Sequence, residues 1–377
     1  MKVIIAAAGT GGHINPGIAI ANKIKEEQKN SEIIFIGTTR GLENDLVPRA
    51  GYKLRTIEAY GLSKKISIDN FKKLYKTYKG IGQAEKIVKE FKPDIVIGTG
   101  GYICGAVITA AHKLGIPTML HESNAFPGKA VSMLAKKVDT IMVSFEETKS
   151  RIKNATNIVC TGTPVKIKKK AYTKEQKDKI VEECGLDTAK PIVLVYGGSQ
   201  GAQKINEALI EIIENKQNQI YQVIWATGPK QYDIIKEKLD DKNININRIS
   251  NMKILPYIYN MEEIMNVSDL IVARSGAMTI TEIANLGKAS ILVPLPNVSN
   301  DHQMYNAKAL EKVNAAKIIE NNNLNGNILN STINEIVMNE NNLKQMGTNA
   351  NTISINGTTE MIYEQILKLV NKNNLKN

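Results

Sequence analysis

Three short turns that contain glycine are the segments of this chain best suited to bind phosphate. Their sequences are GTGGH at 9–13, GGSQG at 197–201 and RSGA at 274–277, and each follows a short apolar run typical of a buried strand. Unpaired N–H groups and the helix dipole make a helix N-terminus attractive to anions, and glycine lets a ligand approach the backbone closely. The pattern therefore predicts a phosphate site at the carboxyl end of the strand before 274–277, whereas the glycines of the first turn suit close approach of a ligand or of another backbone.

The stretch 271–296 contains the best defined of these turns. An apolar run leads into the turn, a helix with Ser275 as its predicted N-cap follows, and Gly287 ends that helix before a second apolar run. Glu282 lies four positions after Met278 on the same helical face, where its carboxylate would accept hydrogen bonds from a diol such as ribose. The alternative is a capped helix with a solvent-facing glutamate.

His13 is the first candidate for a general base, because it follows the first glycine turn and because an imidazole titrates near neutral pH. Glu122, at the end of the apolar run 117–121, is a competing carboxylate. The alternatives are a histidine that packs at a helix start and a charge that fixes a strand end. The chain has no Asp-x-Asp pair, and its four histidines and three cysteines show no ligand spacing. We therefore expect no metal and no other cofactor.

Length and composition indicate a globular protein with more than one domain. The 377 residues are too many for one ordinary core, and 42% apolar and 23% charged residues are typical of soluble proteins. The formal charge of +12 favours an anionic partner such as a nucleotide or a phospholipid surface, although compositional drift would give the same charge. Nucleic acid is disfavoured, because the chain has no arginine-rich run and no aromatic RNA-binding motif.

Apolar runs alternate with helical patterns along the chain, and this plan occurs twice. The polar, lysine-rich stretch 164–190 interrupts the plan, after which strand, glycine turn and helix begin again. We therefore predict an α/β protein with two doubly wound domains, at 1–163 and 164–354, and a C-terminal helix in 355–377 that packs back on the first domain. The first turn is not a dinucleotide fingerprint, because that pattern needs glycine where Ile14 stands.

The turns and several further motifs together resemble the peptidoglycan N-acetylglucosaminyltransferases of glycosyltransferase family 28. In chain order the motifs are GTGGH at 9–13, GTGGY at 98–102, HESN at 121–124, GTPVK at 162–166, GGSQGA at 197–202, RSGAMTITE at 274–282 and DHQ at 301–303. They span most of the chain, and their combination is specific although no single motif is.

The resemblance implies a GT-B fold, in which two Rossmann-like doubly wound domains face each other across a cleft. The N-terminal domain would then serve the acceptor and the membrane, and the C-terminal domain would bind the UDP-sugar. The implied reaction is inverting transfer of N-acetylglucosamine from UDP-N-acetylglucosamine to the N-acetylmuramyl sugar of lipid I, undecaprenyl-pyrophosphoryl-MurNAc-pentapeptide. The product would be lipid II, an intermediate of peptidoglycan biosynthesis.

The resemblance also implies binding roles by position. The residues that it places on the uridine nucleotide are Arg274, Ala277, Met278, Thr279, Glu282 and the main chain of Ile258. Those near the phosphates and the donor sugar are Ser199, Gln303 and Asn124. Those near the acceptor pyrophosphate are Thr10, Gly11 and Gly12. Lys166 stands where many members have arginine, and it keeps the charge but loses the bidentate fork.

Because lipid I is anchored in the membrane, the enzyme must reach the bilayer. The stretch 60–79 mixes lysines with apolar residues, as an interfacial helix on an anionic leaflet does, where each basic side chain contributes about 1 kcal/mol. This pattern predicts a peripheral protein at the cytoplasmic face of the cell membrane, in keeping with its unpaired cysteines. The residues predicted at the membrane are Phe71, Lys72, Lys73 and Leu74. The alternative is an ordinary amphipathic helix with Phe71, Leu74, Tyr75 and Tyr78 in the core.

Three other functions stay open at this point. The chain would also suit another GT-B transferase with a different lipid or sugar acceptor. A UDP-N-acetylglucosamine 2-epimerase shares the fold and the donor, but it would leave the stretch 60–79 unexplained. A nucleotide-sugar-binding membrane scaffold without catalytic activity would leave His13 and the paired glycine turns unexplained.

Overall fold

The computed structural model describes residues 1–61, 68–198 and 201–375, and the chain forms two compact units. The first unit comprises Met1–Lys166 and Ile355–Asn377, and the second comprises Ile167–Ser354. The second unit therefore begins shortly after the position 164 expected from the sequence.

The first unit is built on a seven-stranded parallel sheet with the strand order β3-β2-β1-β4-β5-β6-β7. Its strands are β1 (Lys2–Ala7), β2 (Glu32–Gly37), β3 (Lys53–Thr56), β4 (Ile95–Gly100), β5 (Thr118–Glu122), β6 (Thr140–Val143) and β7 (Ile158–Cys160). Its helices before the linker are α1 (Gly11–Glu27), α2 (Glu43–Arg49), α3 (Ile68–Phe91), α4 (Ile103–Lys113) and α5 (Lys129–Leu134). The carboxyl ends of all seven strands lie at one edge, because every pair is parallel.

Strand β1 is buried on both faces of the sheet. Ile4 and Ala6 pack in the cluster that contains α4, whereas Val3 and Ile5 pack in the cluster that contains α1. This alternation follows from the period of two in a strand. Helix α1 comes close to the sheet at Gly17, where a Cβ atom would lie 3.1 Å from Ile5 and 3.1 Å from Thr99. A continuous apolar run therefore gives the central strand that carries the first glycine turn.

The second unit repeats the plan with a six-stranded parallel sheet in the order β10-β9-β8-β11-β12-β13. Its strands are β8 (Ile192–Tyr196), β9 (Gln222–Ala226), β10 (Met252–Leu255), β11 (Leu270–Ala273), β12 (Ala289–Leu292) and β13 (Ala316–Ile318). Its helices are α6 (Lys174–Glu183), α7 (Gln203–Glu214), α8 (Pro229–Asp240), α9 (Met261–Val267), α10 (Ala277–Leu286), α11 (His302–Glu311), α12 (Gly326–Val337) and α13 (Glu340–Asn351). Both units are doubly wound α/β sheets, and the prediction of that architecture is confirmed.

Helix α10 has the predicted end but not the predicted cap. Gly287 follows its last residue in the left-handed region, with φ 65° and ψ 53°, as a C-terminal glycine does. The N-cap is Gly276, not Ser275, and no side chain caps the helix. The Ser275 hydroxyl is buried and donates instead to the Gln303 carbonyl oxygen at 2.8 Å. The first N–H groups of α10 are thus left without a capping side chain.

Helix α1 begins earlier than the sequence pattern predicts. The pattern indicates a turn through His13 and a helix from about Pro16, but the helix begins at Gly11, with Thr10 as its N-cap. The backbone N–H of His13 and that of Ile14 both donate to the Thr10 carbonyl oxygen. The imidazole and two of the three glycines therefore belong to the first helical turn.

The C-terminal helix α14 (Thr358–Asn374) packs on α1 in the first unit. Ile362 and Ile366 are buried in the cluster that contains α1. Lys23 of α1 forms an ion pair with Glu360 at 3.1 Å. Among the residues that the structure describes, no helix has the length and apolar character needed to cross a bilayer.

Candidate active site

The second unit contains a cavity of about 680 Å³ at the carboxyl end of its sheet. It lies where β8 and β11 are neighbours, although the chain continues from β8 toward β9 and from β11 toward β12, on opposite sides. Open α/β sheets bind their ligands at such a topological switch point. The lining residues that matter below are Tyr196, Gly198, Arg274, Gly276, Thr279, Leu295, Gln303 and Asn321.

Gly276 is the lining residue that points most directly to a ligand. Its φ of −63° and ψ of 148° suit any residue, and an added Cβ would have no other atom within 4 Å. The fold itself therefore does not require glycine there, whereas a ligand that approaches the backbone does. Because the uncapped N-terminus of α10 follows at once, the position suits a phosphate group.

The second glycine turn faces the same cavity but is shaped by its own packing. A Cβ at Gly197 would lie 2.2 Å from the Ala202 nitrogen, and one at Gly201 would lie 2.3 Å from the Thr227 carbonyl oxygen. These two glycines are therefore required by the fold. Ser199, expected near the phosphates, lies outside the residues that the structure describes.

Arg274 lines the cavity, but its guanidinium is hydrogen-bonded to the main chain of the cavity wall. It donates to the carbonyl oxygens of Val293 at 2.9 Å and Pro294 at 3.4 Å. Burial lowers the pKa of this arginine from its ordinary value. Arg274 thus fastens the end of β12 to the turn before α10, and its charge adds to the positive end of that helix.

Gln303 also contributes to both the wall and the cavity. Its side-chain oxygen accepts from the Leu295 N–H at 2.9 Å, and its carbonyl oxygen accepts from Ser275. With the amide oxygen used in this way, the amide NH₂ is the group that Gln303 can offer as a donor to a ligand.

The nucleotide residues expected on α10 do not all reach the cavity. Thr279 lines it, whereas Ala277, Met278 and Glu282 do not belong to its lining. Burial raises the pKa of the half-buried Glu282 carboxyl to about 7. Burial raises the pKa of the Tyr196 hydroxyl on the cavity wall, and the negative charge of Glu282 raises that pKa further.

Ile258, whose main chain is expected opposite uracil, follows β10 at the same edge of the sheet. Its side chain is buried, and it lies between Tyr257 and Tyr259, whose rings meet edge to face with centroids 5.0 Å apart. Tyr259 is 92% exposed. Ile258 does not line the cavity itself.

Two polar residues of the cavity wall have no signal in the sequence. The Tyr196 hydroxyl and the Asn321 side-chain oxygen are both buried, and the Asn321 oxygen has no hydrogen-bond partner in the described parts of the chain. Both residues line the cavity at the ends of β8 and β13. The two residues lie 125 positions apart in the sequence, so only the fold of the sheet brings them to the same cavity.

In the first unit, His13 lies at the corresponding switch point, between β1 and β4. A Cβ at Gly100, which directly ends β4, would lie 2.3 Å from the His13 ring, so glycine is required there. His13 Nδ1 lies 3.1 Å from the Ala8 carbonyl oxygen. A carbonyl only accepts, so Nδ1 carries the proton and Nε2 carries the lone pair that a general base needs.

The first turn of α1 has the same open character as Gly276. Gly11 and Gly12 have ordinary negative φ, and a Cβ on them would meet no atom closer than 3.5 Å and 3.7 Å respectively. Glycine inside a helix costs about 1 kcal/mol relative to alanine. The described packing therefore does not require glycine at these two positions, and the turn is open to a ligand. Thr10, the exposed N-cap, has no capping hydrogen bond from its side chain.

The Glu122 side chain stabilises the loop that follows β5. Its carboxylate accepts from the Asn124 N–H at 2.9 Å, from the Asn124 side-chain amide at 3.0 Å and from the Gly128 N–H at 2.6 Å. This residue is 5% exposed. Both carboxylate oxygens thus accept hydrogen bonds from the segment after β5. The neighbouring His121 is buried, its Nε2 lies 2.9 Å from the Gly162 carbonyl oxygen, and burial lowers its pKa to about 4.

The remaining expected residues lie at the surface or outside the described side chains. Lys166 is exposed at the end of the first unit. The backbone of α3 includes Phe71, Lys72, Lys73 and Leu74, but their side chains lie outside the described part of the structure. Tyr75 and Tyr78 are 71% and 75% exposed, so the expectation that an ordinary amphipathic helix buries them is wrong for these two residues.

No group of three or more His, Cys, Asp or Glu side chains with metal-site geometry occurs among the described residues. The positive end of α10, together with the Arg274 and Lys204 side chains that line the same cavity, can balance the charge of a phosphate.

Two doubly wound units, each with a glycine turn at its switch point, are the architecture of the GT-B fold. The chain belongs to glycosyltransferase family 28. The model of the family's N-terminal domain matches residues 3–143, and that of its C-terminal domain matches residues 192–365.

Similar proteins extend over the whole chain. The UDP-N-acetylglucosamine–N-acetylmuramyl-(pentapeptide) pyrophosphoryl-undecaprenol N-acetylglucosamine transferase of Acetivibrio thermocellus is 42% identical over 375 residues, 99% of each chain. The crystal structure of Acinetobacter baumannii MurG has a TM-score of 0.76 at 28% identity, covering 97% of this chain and 99% of that one. The UDP-GlcNAc 2-epimerase of Neisseria meningitidis has a TM-score of 0.64 at 16% identity, covering 98% and 100%, and so shares the fold alone.

Proposed function

We propose that this chain transfers N-acetylglucosamine from UDP-N-acetylglucosamine to the N-acetylmuramyl sugar of lipid I, with inversion, and so forms lipid II. The observation that carries the proposal is the full-length similarity to a transferase named for this reaction, 42% identical over 375 residues. The structure adds a cavity with an uncapped helix N-terminus, which suits the diphosphate of such a donor.

The second unit is the donor side of the reaction. The diphosphate would lie at Gly276 and the first N–H groups of α10, and Glu282 would accept hydrogen bonds from the ribose. The main chain of Ile258 would pair with uracil, and the Gln303 NH₂ group would donate to the sugar. The developing charge on the departing UDP is stabilised by fixed dipoles that need no reorganisation.

The first unit is the acceptor side. The pyrophosphate of lipid I would lie at Gly11 and Gly12, whose N–H groups begin α1. His13 Nε2 would take the proton from the attacking muramyl hydroxyl. That oxygen forms a bond to the anomeric carbon from the face opposite UDP, and the bond from the anomeric carbon to phosphate breaks, so that UDP leaves with the electron pair. Attack from the opposite face inverts the configuration.

Helix α3 would carry the chain to the cytoplasmic face of the membrane. The side chains described in α3 before Gly80 are largely solvent-facing: Tyr75, Lys76, Tyr78 and Lys79 are exposed. Tyrosines beside lysines suit the interface of an anionic leaflet, where an aromatic ring has one apolar and one wet side. The helix enters the core at Gly80, where a Cβ would lie 1.8 Å from the Glu58 carbonyl oxygen.

A UDP-release assay with and without lipid I separates this function from the alternatives. We expect UDP release that requires lipid I and gives lipid II. Interconversion of the donor sugar without lipid I would instead indicate an epimerase. Binding without release of UDP would indicate a scaffold, and release with another polyprenyl-linked sugar only would indicate a transferase for a different acceptor.

A further inference from the structure

Glu43 is a buried carboxylate with no part in the site described above. It lies in the first turn of α2 and is 0% exposed. One carboxylate oxygen, Oε1, accepts from the Thr38 N–H at 2.9 Å and from the Thr38 hydroxyl at 2.8 Å. The other, Oε2, accepts from the Gly9 N–H at 2.9 Å. The side chain thus joins the end of β2 to the glycine turn after β1.

The surroundings are shaped to admit this side chain. A Cβ at Gly41 would lie 1.9 Å from Glu43 Oε2, and one at Gly37 would lie 2.7 Å from Glu43 Cγ. Burial alone would raise the pKa of this carboxyl, but the hydrogen bonds from Gly9 and Thr38 outweigh burial and lower the pKa from its ordinary value. Glu43 is therefore an anion, stabilised by main-chain donors.

The contact with Gly9 leads directly to His13. The Gly9 N–H and the Ala8 carbonyl belong to one peptide group. Its N–H donates to Glu43 Oε2, and its carbonyl oxygen lies 3.1 Å from His13 Nδ1. A carboxylate that accepts from the N–H of a peptide polarises its C=O and makes that oxygen a stronger acceptor. The chain from Glu43 through the peptide to His13 is therefore a carboxylate–histidine arrangement with one peptide group between its members.

The backbone of Gly101 approaches the same peptide group closely. A Cβ at Gly101, which has φ 83°, would lie 2.6 Å from the Ala8 carbonyl oxygen. Ala8 and Gly100, which lie against the His13 ring, carry no titratable side chain, and the Thr99 hydroxyl donates to the His13 carbonyl oxygen at 2.8 Å. Through the Ala8–Gly9 peptide, the Glu43 carboxylate brings negative charge toward the histidine.

We propose that Glu43 is a positioning residue for His13, acting through the Ala8–Gly9 peptide to hold the imidazole in the tautomer with its lone pair on Nε2. This proposal rests on the proposed function only in taking His13 as the base. If Glu43 only linked β2 to the turn after β1, it would stabilise the first unit without changing the tautomer or the basicity of the His13 imidazole.

The test uses the full chain with Glu43→Gln, which keeps the size but loses the charge and one acceptor. In ¹⁵N spectra of histidine-labelled protein, with His13 assigned by comparison with His13→Ala, we expect mixed tautomers and a pKa of His13 lower by roughly one unit. In lipid II synthesis, kcat should fall roughly tenfold and its lower pH limit should shift with the His13 pKa, while the KM for the donor stays within about twofold.

Asp139→Asn is the matched control. Asp139 accepts from the Thr118 N–H at 2.8 Å and from the Thr118 hydroxyl at 3.0 Å, at the amino end of β5 and thus at the opposite edge of the sheet from His13. It loses the same charge and similar hydrogen bonds, so it should leave the His13 spectrum and the pH profile unchanged. An unchanged His13 spectrum in Glu43→Gln, or an equal change in Asp139→Asn, overturns the proposal.

A second variant covers the case in which Glu43→Gln does not fold. Glu43→Asp keeps the charge but is shorter by one methylene, so it cannot reach Gly9 and Thr38 together, and the pKa of His13 should again fall. An unchanged pKa there also overturns the proposal. A failure of the proposed function would be seen in a different measurement. Full turnover in His13→Ala would show that His13 is not the base, whereas the His13 spectra of the Glu43 variants would be unaffected by that result.

Discussion

At the scale of single residues, the glycines divide into those that the fold needs and those that it does not. Gly197 and Gly201 leave no room for a Cβ, whereas Gly276 does. Gly276→Ala should therefore leave the free energy of unfolding within about 0.5 kcal/mol of the wild type, because nothing is displaced. The same methyl group would stand where the diphosphate approaches the backbone, so the affinity for UDP-N-acetylglucosamine should fall at least roughly tenfold.

Gly287→Ala is the control for this prediction. Gly287 has φ 65° and lies at the other end of α10, so alanine there should destabilise the protein by about 1 kcal/mol while leaving the bound nucleotide untouched. Calorimetric titration and chemical denaturation of both variants measure the two effects. If Gly276→Ala binds the donor as the wild type does, the N-terminus of α10 does not hold the diphosphate.

The Glu282 carboxyl gives a prediction about pH. Its pKa is raised from 4.5 to about 7 in the folded protein, so the native state retains a proton that the unfolded chain has lost. The resulting stabilisation is complete below pH 4.5 and is lost as the pH rises through about 7. Glu282→Gln cannot ionise, so without ligand it should be more stable than the wild type at pH 8.5, by about 1–3 kcal/mol, and similar to it at pH 4.5.

Donor binding should have the opposite pH dependence, since the ionised carboxylate is the better acceptor for the ribose hydroxyls. Wild-type affinity should therefore rise between pH 6 and pH 8.5, whereas Glu282→Gln should bind roughly ten- to a hundredfold more weakly at pH 8.5 with little change. Thermal denaturation and calorimetric titration at both pH values test this. If the donor affinities of the wild type and of Glu282→Gln change equally with pH, Glu282 does not bind the ribose.

At the scale of elements, local patterns predict much of the fold, and long-range contacts account for the rest. Strand β11, helix α10 and Gly287 each have a local signal, and all three are present. The predicted cap fails because the Ser275 hydroxyl finds a partner at Gln303, 28 positions away. Helix α2 is not predicted from the sequence, because it has only seven residues and contains Pro48.

The candidate site also divides into residues with a local sequence signal and residues that only long-range contacts bring into place. The turns at His13 and Gly276 are recognisable from glycines after apolar runs, because anion binding needs that local geometry. Tyr196 and Asn321 are not recognisable, since each is an ordinary polar residue until the sheet order places it on the cavity wall. Glu43 is hidden for the same reason, as its contact with Gly9 spans 34 positions.

Helix α14 gives a prediction about stability at this scale. Ile366 is 0% exposed and belongs to the cluster of α1 and β1. Ile366→Ala should lower the free energy of unfolding of the first unit by about 2–5 kcal/mol, because the cavity cannot close completely. Leu375→Ala, at a position 89% exposed just after the same helix, should change it by less than about 0.5 kcal/mol. Urea denaturation of both variants distinguishes a packed helix from an appended tail.

At the scale of the whole molecule, one chain uses the same sheet plan twice. Both units place a helix N-terminus at the switch point of a parallel sheet. The first unit adds a histidine beside that terminus, and the second adds a cavity of about 680 Å³. Donor binding and membrane binding should therefore be separable by substitution, because the cavity and α3 belong to different units.

The membrane prediction makes this separation measurable. Replacing Lys72 and Lys73 with glutamate removes two basic side chains from α3, each worth about 1 kcal/mol at an anionic surface, so binding to anionic vesicles should weaken roughly thirtyfold or more. Replacing Phe71 and Leu74 with serine should also weaken it, by removing apolar area from the interface. The affinity for UDP-N-acetylglucosamine in solution should stay within about twofold in both variants.

A control must distinguish the effect of the lower net charge from the effect of substituting residues on α3. Lys236 and Lys238 are exposed on α8 in the second unit, and replacing both with glutamate changes the net charge by the same amount as the substitutions in α3. We expect this control to sediment with vesicles of anionic phospholipid as the wild type does, because α8 does not belong to the proposed contact. Tyr75 and Tyr78 extend the test, since their exposed rings should contribute apolar contact without charge. If the α8 variant loses binding as strongly as the α3 variant, the attraction is a property of the net charge, and α3 is not the membrane-binding helix.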